Sequence, residues 1–145
     1  MTARLVLDNV LNWETQELGE RTIMRFTFRE VGISMYNLDM LSPNDARIVR
    51  RFKRRIQAIA AIKHLVVYGS RARGDATEES DLDIFIELED LTPQLRRQIS
   101  DLAWEIGFDE DVVISTFVAT SQAIADGPLS ANPILKAIQA EGIAV

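Results

Sequence analysis

Cysteine is missing from this 145-residue chain, and histidine occurs once. These absences exclude a disulfide framework, a thiolate metal site, a cysteine nucleophile and a histidine cluster. Only seven glycines and four prolines are present, whereas 47% of the residues are hydrophobic, so a low-complexity or disordered chain is excluded as well. We expect one packed globular domain in which any metal ion is held by carboxylates.

Long apolar runs are also missing, because the hydrophobic stretches are short and interrupted by charge. The N-terminus, MTARLVLDNV, has no basic region followed by a long apolar stretch. We expect neither a membrane span nor an export signal in a sequence of this kind. We therefore expect a cytoplasmic protein with no membrane partner.

Charge is distributed unevenly around a net value of −6. Residues 75–111 hold thirteen of the twenty-two acidic residues, whereas the segment RIVRRFKRR, residues 47–55, has six basic residues in nine. This basic run is either the solvated face of a helix or a surface for nucleic acid or an acidic partner. The acidic balance of the whole chain argues against nucleic acid as the main partner.

Hydrophobic periodicity predicts helices and strands in alternation after residue 41. Ser42 is a predicted helix N-cap followed by Pro43, with apolar residues at helical spacing behind it. The segments HLVVY, residues 64–68, and LDIFIEL, residues 82–88, are predicted strands. The remaining predicted elements are a helix from Pro93 that ends at Gly107, a strand over 112–118, a helix over 121–126 and a helix from Pro133 that ends at Gly142.

The first part of the chain is harder to interpret. Alternating apolar and polar residues over 24–29 predict a half-buried strand, and the segment from Leu11 to Leu18 could form a short helix. The aromatic residues Trp13, Phe26 and Phe28 either cover an edge of the core or form a contact in a homodimer.

Two aspartates one residue apart stand at the start of the second predicted strand. Because Asp81 and Asp83 are two positions apart, both carboxylates point to the same side of an extended chain. Like charges at this spacing repel, and a divalent cation between them lets both stay ionised at neutral pH. Hard oxygen ligands favour Mg²⁺, which typically takes further ligands from substrate phosphates. The pattern predicts a magnesium site and a phosphate-bearing substrate.

A Gly-Ser turn with two arginines precedes these aspartates. Gly69 allows the backbone to approach a substrate closely, and Ser70 offers a hydroxyl and an N–H group at a helix start. Arg71 and Arg73 are candidate counter-charges for phosphate oxygens. The P-loop and Rossmann strings are absent, and neither a G-x-S-x-G elbow nor a second histidine supports His64 as a catalytic base. Each element alone is common in surface loops, whereas their combination is specific.

The string GSRARGDATEESDLDIFI, residues 69–86, resembles the signature of the DNA polymerase beta-type nucleotidyltransferase superfamily. The short chain is similar to the minimal bacterial and archaeal members. The resemblance is close over residues 42–88, looser over 93–142, and does not include residues 1–41. It implies an α/β (α+β) fold, with a mixed β-sheet flanked by helices, in a domain of residues 42–145. Residues 1–41 are then an N-terminal extension packed on that domain.

In that family the turn, here Gly69 and Ser70, holds the triphosphate of a nucleotide, and the paired aspartates, here Asp81 and Asp83, bind two Mg²⁺ ions. The resemblance thus implies in-line attack by a hydroxyl on an α-phosphate, with pyrophosphate as leaving group. The nucleotide contacts that we expect are Gly69, Ser70, Arg71, Arg73 and Ser80.

The family also supplies a third catalytic carboxylate, which binds metal, from a neighbouring strand. Here that strand reads DVVISTFVA, and Asp111 has the correct parity if it lies far enough into the strand. Ser115, which is more central, carries no charge. Asp109 and Glu87 are alternatives with weaker support, so the activity of the chain depends on where this third carboxylate lies.

Minimal members of the family often act as antitoxins that modify a HEPN-type ribonuclease toxin. The first hypothesis is therefore an enzyme that transfers a nucleoside monophosphate from a nucleoside triphosphate, with ATP as the expected donor, to a hydroxyl of such a partner or of a small molecule. A second hypothesis is a catalytically weak or inactive module that binds a nucleotide and a partner protein. A third is nucleic-acid binding by the face that carries Arg50, Arg51, Arg54 and Arg55.

Overall fold

The computed structural model describes residues 11–18, 21–28, 34–35 and 40–145. In its N-terminal part three strands form an antiparallel sheet in chain order. They are β1 (Leu11–Leu18), β2 (Arg21–Phe28) and β3 (Ser34–Met35). The expectation of a short helix over residues 11–18 is wrong, because every residue of β1 pairs with β2 and this ladder outweighs a weak local helix preference. Residues 24–28 of the strand predicted over 24–29 belong to β2, whereas residue 29 lies outside the described residues and the predicted half-burial stays a prediction.

Several early residues lie outside the described ones, namely 1–10, 19–20, 29–33 and 36–39. The division into an extension of residues 1–41 and a domain of residues 42–145 stays a prediction. The same holds for the packing of Trp13, Phe26 and Phe28 and for a homodimer contact through them.

The rest of the chain builds a mixed four-stranded sheet in the order β6-β5-β4-β7. Its strands are β4 (Ile62–Tyr68), β5 (Leu82–Leu88), β6 (Ile114–Thr120) and β7 (Ile143–Ala144). β5 and β6 are parallel, whereas β4 pairs with β5 and β7 in antiparallel fashion. The helices are α1 (Pro43–Gln57), α2 (Ser70–Arg73), α3 (Pro93–Glu110), α4 (Ser121–Asp126) and α5 (Pro133–Glu141), with a 3-10 helix over Pro128–Ala131. The predicted mixed sheet flanked by helices is confirmed.

Alternate residues of β5 belong to two separate cores, as their parity predicts. Leu82, Ile84, Ile86 and Leu88 are buried with apolar residues of α1 and α3 on one side of the sheet. Phe85 is buried on the other side with residues of α4 and α5. Because Asp83 has the parity of Phe85, its side chain belongs to the side that carries α5.

The start of α1 is as predicted, whereas the end of α3 is not. Ser42 Oγ accepts a hydrogen bond from the backbone N–H of Asp45 at 3.1 Å. α3 continues past Gly107 to Glu110, so the predicted end at Gly107 is wrong, and so is the predicted start of the next strand at residue 112. A Cβ at Gly107 would lie 2.5 Å from the carbonyl oxygen of Val112. This glycine therefore permits close packing inside the helix and does not end it.

Three arginines of the basic run form ion pairs with α3. They lie four residues apart along α1, on the side that faces the acidic end of α3. The pairs are Arg47–Glu110, Arg51–Glu110, Arg51–Asp109 and Arg55–Glu105. Half of the six basic residues thus serve a contact between two helices. Among the helices of the described residues, none is both long and apolar enough to cross a lipid bilayer.

Candidate active site

The turn after β4 lies directly against the first residues of β5. Tyr68, the last residue of β4, is paired with Asp83. Gly69 has a φ of 77°, and a Cβ at this position would lie 2.4 Å from Oδ2 of Asp83. A side chain cannot occupy that space, so the backbone reaches Asp83 because residue 69 is glycine. The structure therefore brings the Gly-Ser turn and one of the paired aspartates into contact.

The two aspartates differ in their surroundings. Asp81 immediately precedes β5 and is exposed, whereas Asp83 lies within the strand and is half-buried. Burial raises the pKa of the Asp83 carboxyl, and the negative charge of Asp81 raises it further, while the positive charge of Arg73 opposes both effects. Ionising both carboxylates together is therefore unfavourable, and a bound cation would relieve that repulsion.

A third carboxylate enters the site from the last helix. Glu141 ends α5, and its Oε1 accepts a hydrogen bond from the N–H of Gly69 at 2.9 Å. Both carboxylate oxygens also accept hydrogen bonds from Nη1 of Arg73, each at 3.0 Å. The charge of Glu141 contributes to the raised pKa of Asp83. α5 thus supplies an anion to the same turn that contacts Asp83.

Sequence reasoning did not identify Glu141. One local signal could have suggested that it has a partner, because an acidic residue in the last turn of a helix is disfavoured by the helix dipole. Nothing local indicates which partner it has, since Glu141 and Gly69 are separated by more than seventy residues.

Arg73 is the accessible cation of the turn. Its side chain is 47% exposed and forms ion pairs with Glu141 and Asp75. The hydrogen bonds with these two carboxylates raise the pKa of Arg73. The positive charge of the guanidinium also acts to lower the pKa of the Asp83 carboxyl.

Arg71 already has partners within the protein. Its Nη1 donates to Oδ1 of Asp45 at 2.8 Å, and its Nε and Nη2 donate to the carbonyl oxygen of Ser80 at 2.9 and 2.6 Å. Asp45 is buried in the first turn of α1. Arg71 therefore ties α1 and the residue before Asp81 to α2. Its expected role as a counter-charge for phosphate stays a prediction.

Ser70 and Ser80 lie at the two ends of the segment that joins Gly69 to Asp81. Ser70 is the first residue of the short helix α2. Ser80 closes a turn, because its Oγ accepts a hydrogen bond from the N–H of Thr77 at 2.9 Å and its N–H donates to the Thr77 carbonyl at 3.1 Å. This turn leads the chain to Asp81. That either serine contacts a nucleotide stays a prediction.

Asp111 does not lie in β6. It caps the C-terminus of α3 in a left-handed conformation, with a φ of 53°, and is exposed. The register of the sheet places Ser115 opposite Asp83. Within the described part of the chain, no three acidic or histidine side chains form a group that could hold a metal ion. Asp111 as a third ligand stays a prediction.

The two alternative carboxylates are engaged elsewhere. Asp109 forms an ion pair with Arg51 of α1. Glu87 is 2% exposed, and its Oε2 lies 2.6 Å from Nδ1 of His64 on β4. Burial acts to raise the pKa of Glu87, but the hydrogen bond with His64 and nearby positive charge hold it below its usual value. This pairing gives Glu87 a structural role, in which it joins β5 to β4.

Comparison with known proteins identifies the family. The sequence model described as "Nucleotidyltransferase domain" matches residues 46–128, which is more than half of the chain. The chain belongs to the nucleotidyltransferase domain family. This nucleotidyltransferase is 32% identical over 74 residues to "Putative protein adenylyltransferase MJ0141" of Methanocaldococcus jannaschii, over 49% of this chain and 75% of that protein. It is also 40% identical over 43 residues to "Putative protein adenylyltransferase MJ1379" of the same organism, over 30% of this chain and 43% of that protein.

The matched range contains most of the site of this nucleotidyltransferase. Residues 46–128 include the Gly-Ser turn, both paired aspartates and Asp111. They end before α5, so Glu141 lies outside the match. The contact between Glu141 and the turn is therefore a feature that the structure adds to the family assignment.

Proposed function

We propose that this nucleotidyltransferase transfers adenosine monophosphate from ATP to a hydroxyl group of a protein. Both relatives carry the name protein adenylyltransferase, which supports the donor and the class of acceptor. The observation that carries the proposal is the contact between Gly69 and Asp83. Because of this contact, a triphosphate bound at the turn would lie next to a cation bound by the aspartates.

Asp81 and Asp83 are the residues that would hold Mg²⁺. Their oxygens are the donors that this ion prefers, and their mutual repulsion favours a cation between them. When bound, divalent ions supply charge neutralisation of the phosphates and polarisation of the α-phosphate. The proposal includes two ions, with Asp111 as a further ligand.

The residues of the turn would hold and orient the donor. The N–H of Gly69 and the guanidinium of Arg73, which bond the Glu141 carboxylate, are the groups that would face the phosphates. In the reaction the acceptor oxygen forms a bond to the α-phosphorus, the bond to pyrophosphate breaks, and the hydroxyl proton passes to a carboxylate of the site. The protein contributes position and charge to this step.

The proposed acceptor is a HEPN-type ribonuclease, with this chain as its antitoxin. Support for this partner is the resemblance of residues 42–88 to minimal members of the family. The acceptor residue would be a hydroxyl-bearing side chain on the toxin, whose modification abolishes its ribonuclease activity.

Label transfer tests the proposal. The full chain is incubated with Mg²⁺, a candidate HEPN partner and ATP labelled at either the α- or the γ-phosphate. We expect the partner to take up label from α-labelled ATP alone, and we expect Asp81→Asn and Asp83→Asn to abolish this transfer. The double variant Glu89→Gln/Asp90→Asn, which removes two exposed acids at the other end of β5, is the matched control and should retain it. Transfer of γ-label, or full activity in Asp83→Asn, would contradict the proposal.

A second candidate function is a nucleotide-binding and partner-binding module with little or no catalysis. It is favoured by the position of Asp111 outside β6 and because, among the described residues, no three acidic or histidine side chains form a group that could hold a metal ion. The same experiment separates the two functions. Mg²⁺-dependent binding of ATP without label transfer to any partner supports the module.

A further inference from the structure

Two aromatic rings on α3 lie uncovered on the surface. Trp104 and Phe108 are 73% and 76% exposed, and their rings stack with centroids 5.5 Å apart and an interplanar angle of 17°. Val113, just beyond the end of the helix, is 62% exposed. Together these side chains form an apolar patch, and such patches commonly mark interaction sites.

The fold itself does not need these two rings. α3 packs on the sheet through Ile99, Ala103 and Ile106, which are buried. Trp104 and Phe108 are one helical turn apart on another side of the helix. Their position therefore exposes two large apolar side chains where smaller polar residues would leave the core unchanged.

The patch forms one wall of a groove between α3 and the loop before Asp81. This α3 groove is defined by Trp104, Phe108, Val113, Glu78, Glu79 and Asp111 and has a volume of about 1020 Å³. Its residues include Ser80 but none of the paired aspartates and neither residue of the Gly-Ser turn. The groove therefore borders the candidate active site and shares with it Ser80 and Asp111, the latter named above as a further ligand.

The charged residues of the groove all have the same sign. Glu78, Glu79 and Asp111 are exposed acids, and none of the described residues that line the groove is basic. A polyanion such as a nucleotide or a nucleic acid would be repelled there. Lysine and arginine side chains would be attracted by the carboxylates and would also pack favourably against the aromatic faces.

We propose that the α3 groove binds a basic segment of a partner protein. Apolar side chains of the segment would cover Trp104 and Phe108, and its lysines or arginines would pair with Glu78 and Glu79. Exposed aromatic residues in a groove with charged edges are typical anchors of such contacts. The acidic edges distinguish this occupant from a second copy of the same groove, because two acidic surfaces facing each other would repel.

The groove also adjoins the loop that leads into the paired aspartates. Ser80 lines the groove and directly precedes Asp81. A segment seated in the groove would therefore contact the loop that precedes Asp81, whereas the side chain of Asp83 lies on the other side of the sheet, with α5. That the docked protein is also the acceptor of the nucleotide rests on the proposed function, whereas docking itself does not.

Peptide binding to the full chain tests the docking proposal without ATP. The probe is a synthetic amphipathic helix of about 18 residues, five turns, made of leucine and lysine. A peptide with glutamate in place of lysine is its counterpart. Calorimetry at about 0.15 M salt should detect binding of the lysine peptide alone, and higher salt should weaken it.

Four variants locate the binding. Trp104→Ala/Phe108→Ala should lower the affinity for the lysine peptide by about tenfold or more, as expected for removal of anchor residues. Glu78→Gln/Glu79→Gln should lower this affinity by about three- to fivefold, as expected for the loss of exposed ion pairs. The matched controls, Ile59→Ala and Glu89→Gln/Asp90→Asn, alter an exposed apolar residue and two exposed acids elsewhere and should bind within about twofold of the wild type.

Three results would overturn the docking proposal. They are equal affinity for the glutamate peptide, wild-type affinity in Trp104→Ala/Phe108→Ala, and a wild-type dimer that this double variant converts to a monomer. Thermal unfolding of each variant verifies that it is folded. Asp81→Asn/Asp83→Asn should retain peptide binding, so failure of the proposed chemistry and failure of docking are observed separately.

Discussion

A Cβ atom on residue 69 would lie 2.4 Å from Oδ2 of Asp83, so Gly69 and Asp83 fit together only because residue 69 is glycine. Gly69→Ala therefore has two consequences, because a φ of 77° with a ψ of −159° lies in a backbone region essentially restricted to glycine and costs alanine about 1–3 kcal/mol, and the methyl group must displace Asp83 at a further cost of about 1–3 kcal/mol. We expect urea denaturation to report the sum of both costs. We also expect nucleotidyl transfer to fall well below the level that the folded fraction predicts.

Gly74→Ala provides the matched control for this variant. Gly74 also has a positive φ, of 83°, but nothing lies within 4 Å of a Cβ at this position. The substitution should cost only the backbone strain of about 1–2 kcal/mol and should leave transfer per folded molecule unchanged. Equal effects of the two substitutions on transfer would show that contact with Asp83 is unimportant.

Glu141→Gln is expected to increase the affinity for ATP. The carboxylate now accepts hydrogen bonds from Gly69 and Arg73, the groups that a phosphate would contact, so it competes with the nucleotide by charge and by position. Glutamine keeps an acceptor for the Gly69 N–H but removes the negative charge. Because the Arg73 pair is partly exposed, the expected gain is modest, about two- to fivefold in Kd by titration calorimetry.

The control for this prediction is Asp75→Asn. Asp75 also pairs with Arg73 but is 64% exposed and has no hydrogen bond to Gly69, so its removal should change the affinity less. A weaker affinity for ATP in Glu141→Gln would mean that the carboxylate is required in the bound state and does not compete with the nucleotide.

We expect substitution of Arg71 to lower mainly the stability of the protein and substitution of Arg73 to lower mainly its affinity for ATP. Arg71→Met leaves the buried Asp45 without its cation, so we expect a loss of about 2–4 kcal/mol in the free energy of unfolding. Arg73→Met removes two partly exposed ion pairs and should cost about 1 kcal/mol or less, yet it should weaken ATP binding strongly. Urea denaturation and calorimetry on both variants measure the two quantities.

The double variant Arg71→Met/Asp45→Asn completes this comparison. If the loss in Arg71→Met comes from an unpaired buried charge, removing that charge as well should recover part of the stability. Additive losses would mean that the hydrogen bonds from Arg71 to the Ser80 carbonyl are the more important contribution.

Local features of the chain could be predicted from the sequence. The cap at Ser42 and the alternation along β5 depend on neighbours within a few residues, so residue type and spacing were sufficient. The Gly-Ser turn and the paired aspartates were recognised for the same reason. The structure then adds that Gly69 and Asp83 are in contact.

Distant contacts could not be predicted in this way. The bonds of Glu141 to Gly69 and of Arg71 to Asp45 join separate elements, and no local pattern specifies them. The start of β6 depends on its pairing with β5, which places Asp111 before the strand despite its favourable parity. The helix expected over residues 11–18 is wrong because pairing with the partner strand, and not local composition, determines the conformation of β1.

Glu110 makes the stability of the protein depend on pH in the acidic range. The hydrogen bonds and charges of Arg47 and Arg51 lower the pKa of Glu110 from 4.5 to about 2. Because the folded state stabilises the ionised form, this contribution is complete above pH 4.5 and is lost as the pH falls from 4.5 to about 2. Glu110→Gln lacks the contribution at every pH, so its stability deficit should be constant between pH 7 and 5 and should shrink toward zero at pH 2.

Urea denaturation of the wild type and Glu110→Gln over this pH range measures the deficit directly, because other titrating groups affect both proteins alike. Glu105→Gln is the control, since it removes the more exposed pair with Arg55 and should change stability little at any pH. A deficit that stays constant down to pH 2 would mean that the charge of Glu110 is not what joins α1 to α3. The uncharged contacts of the glutamate side chain would then account for its contribution.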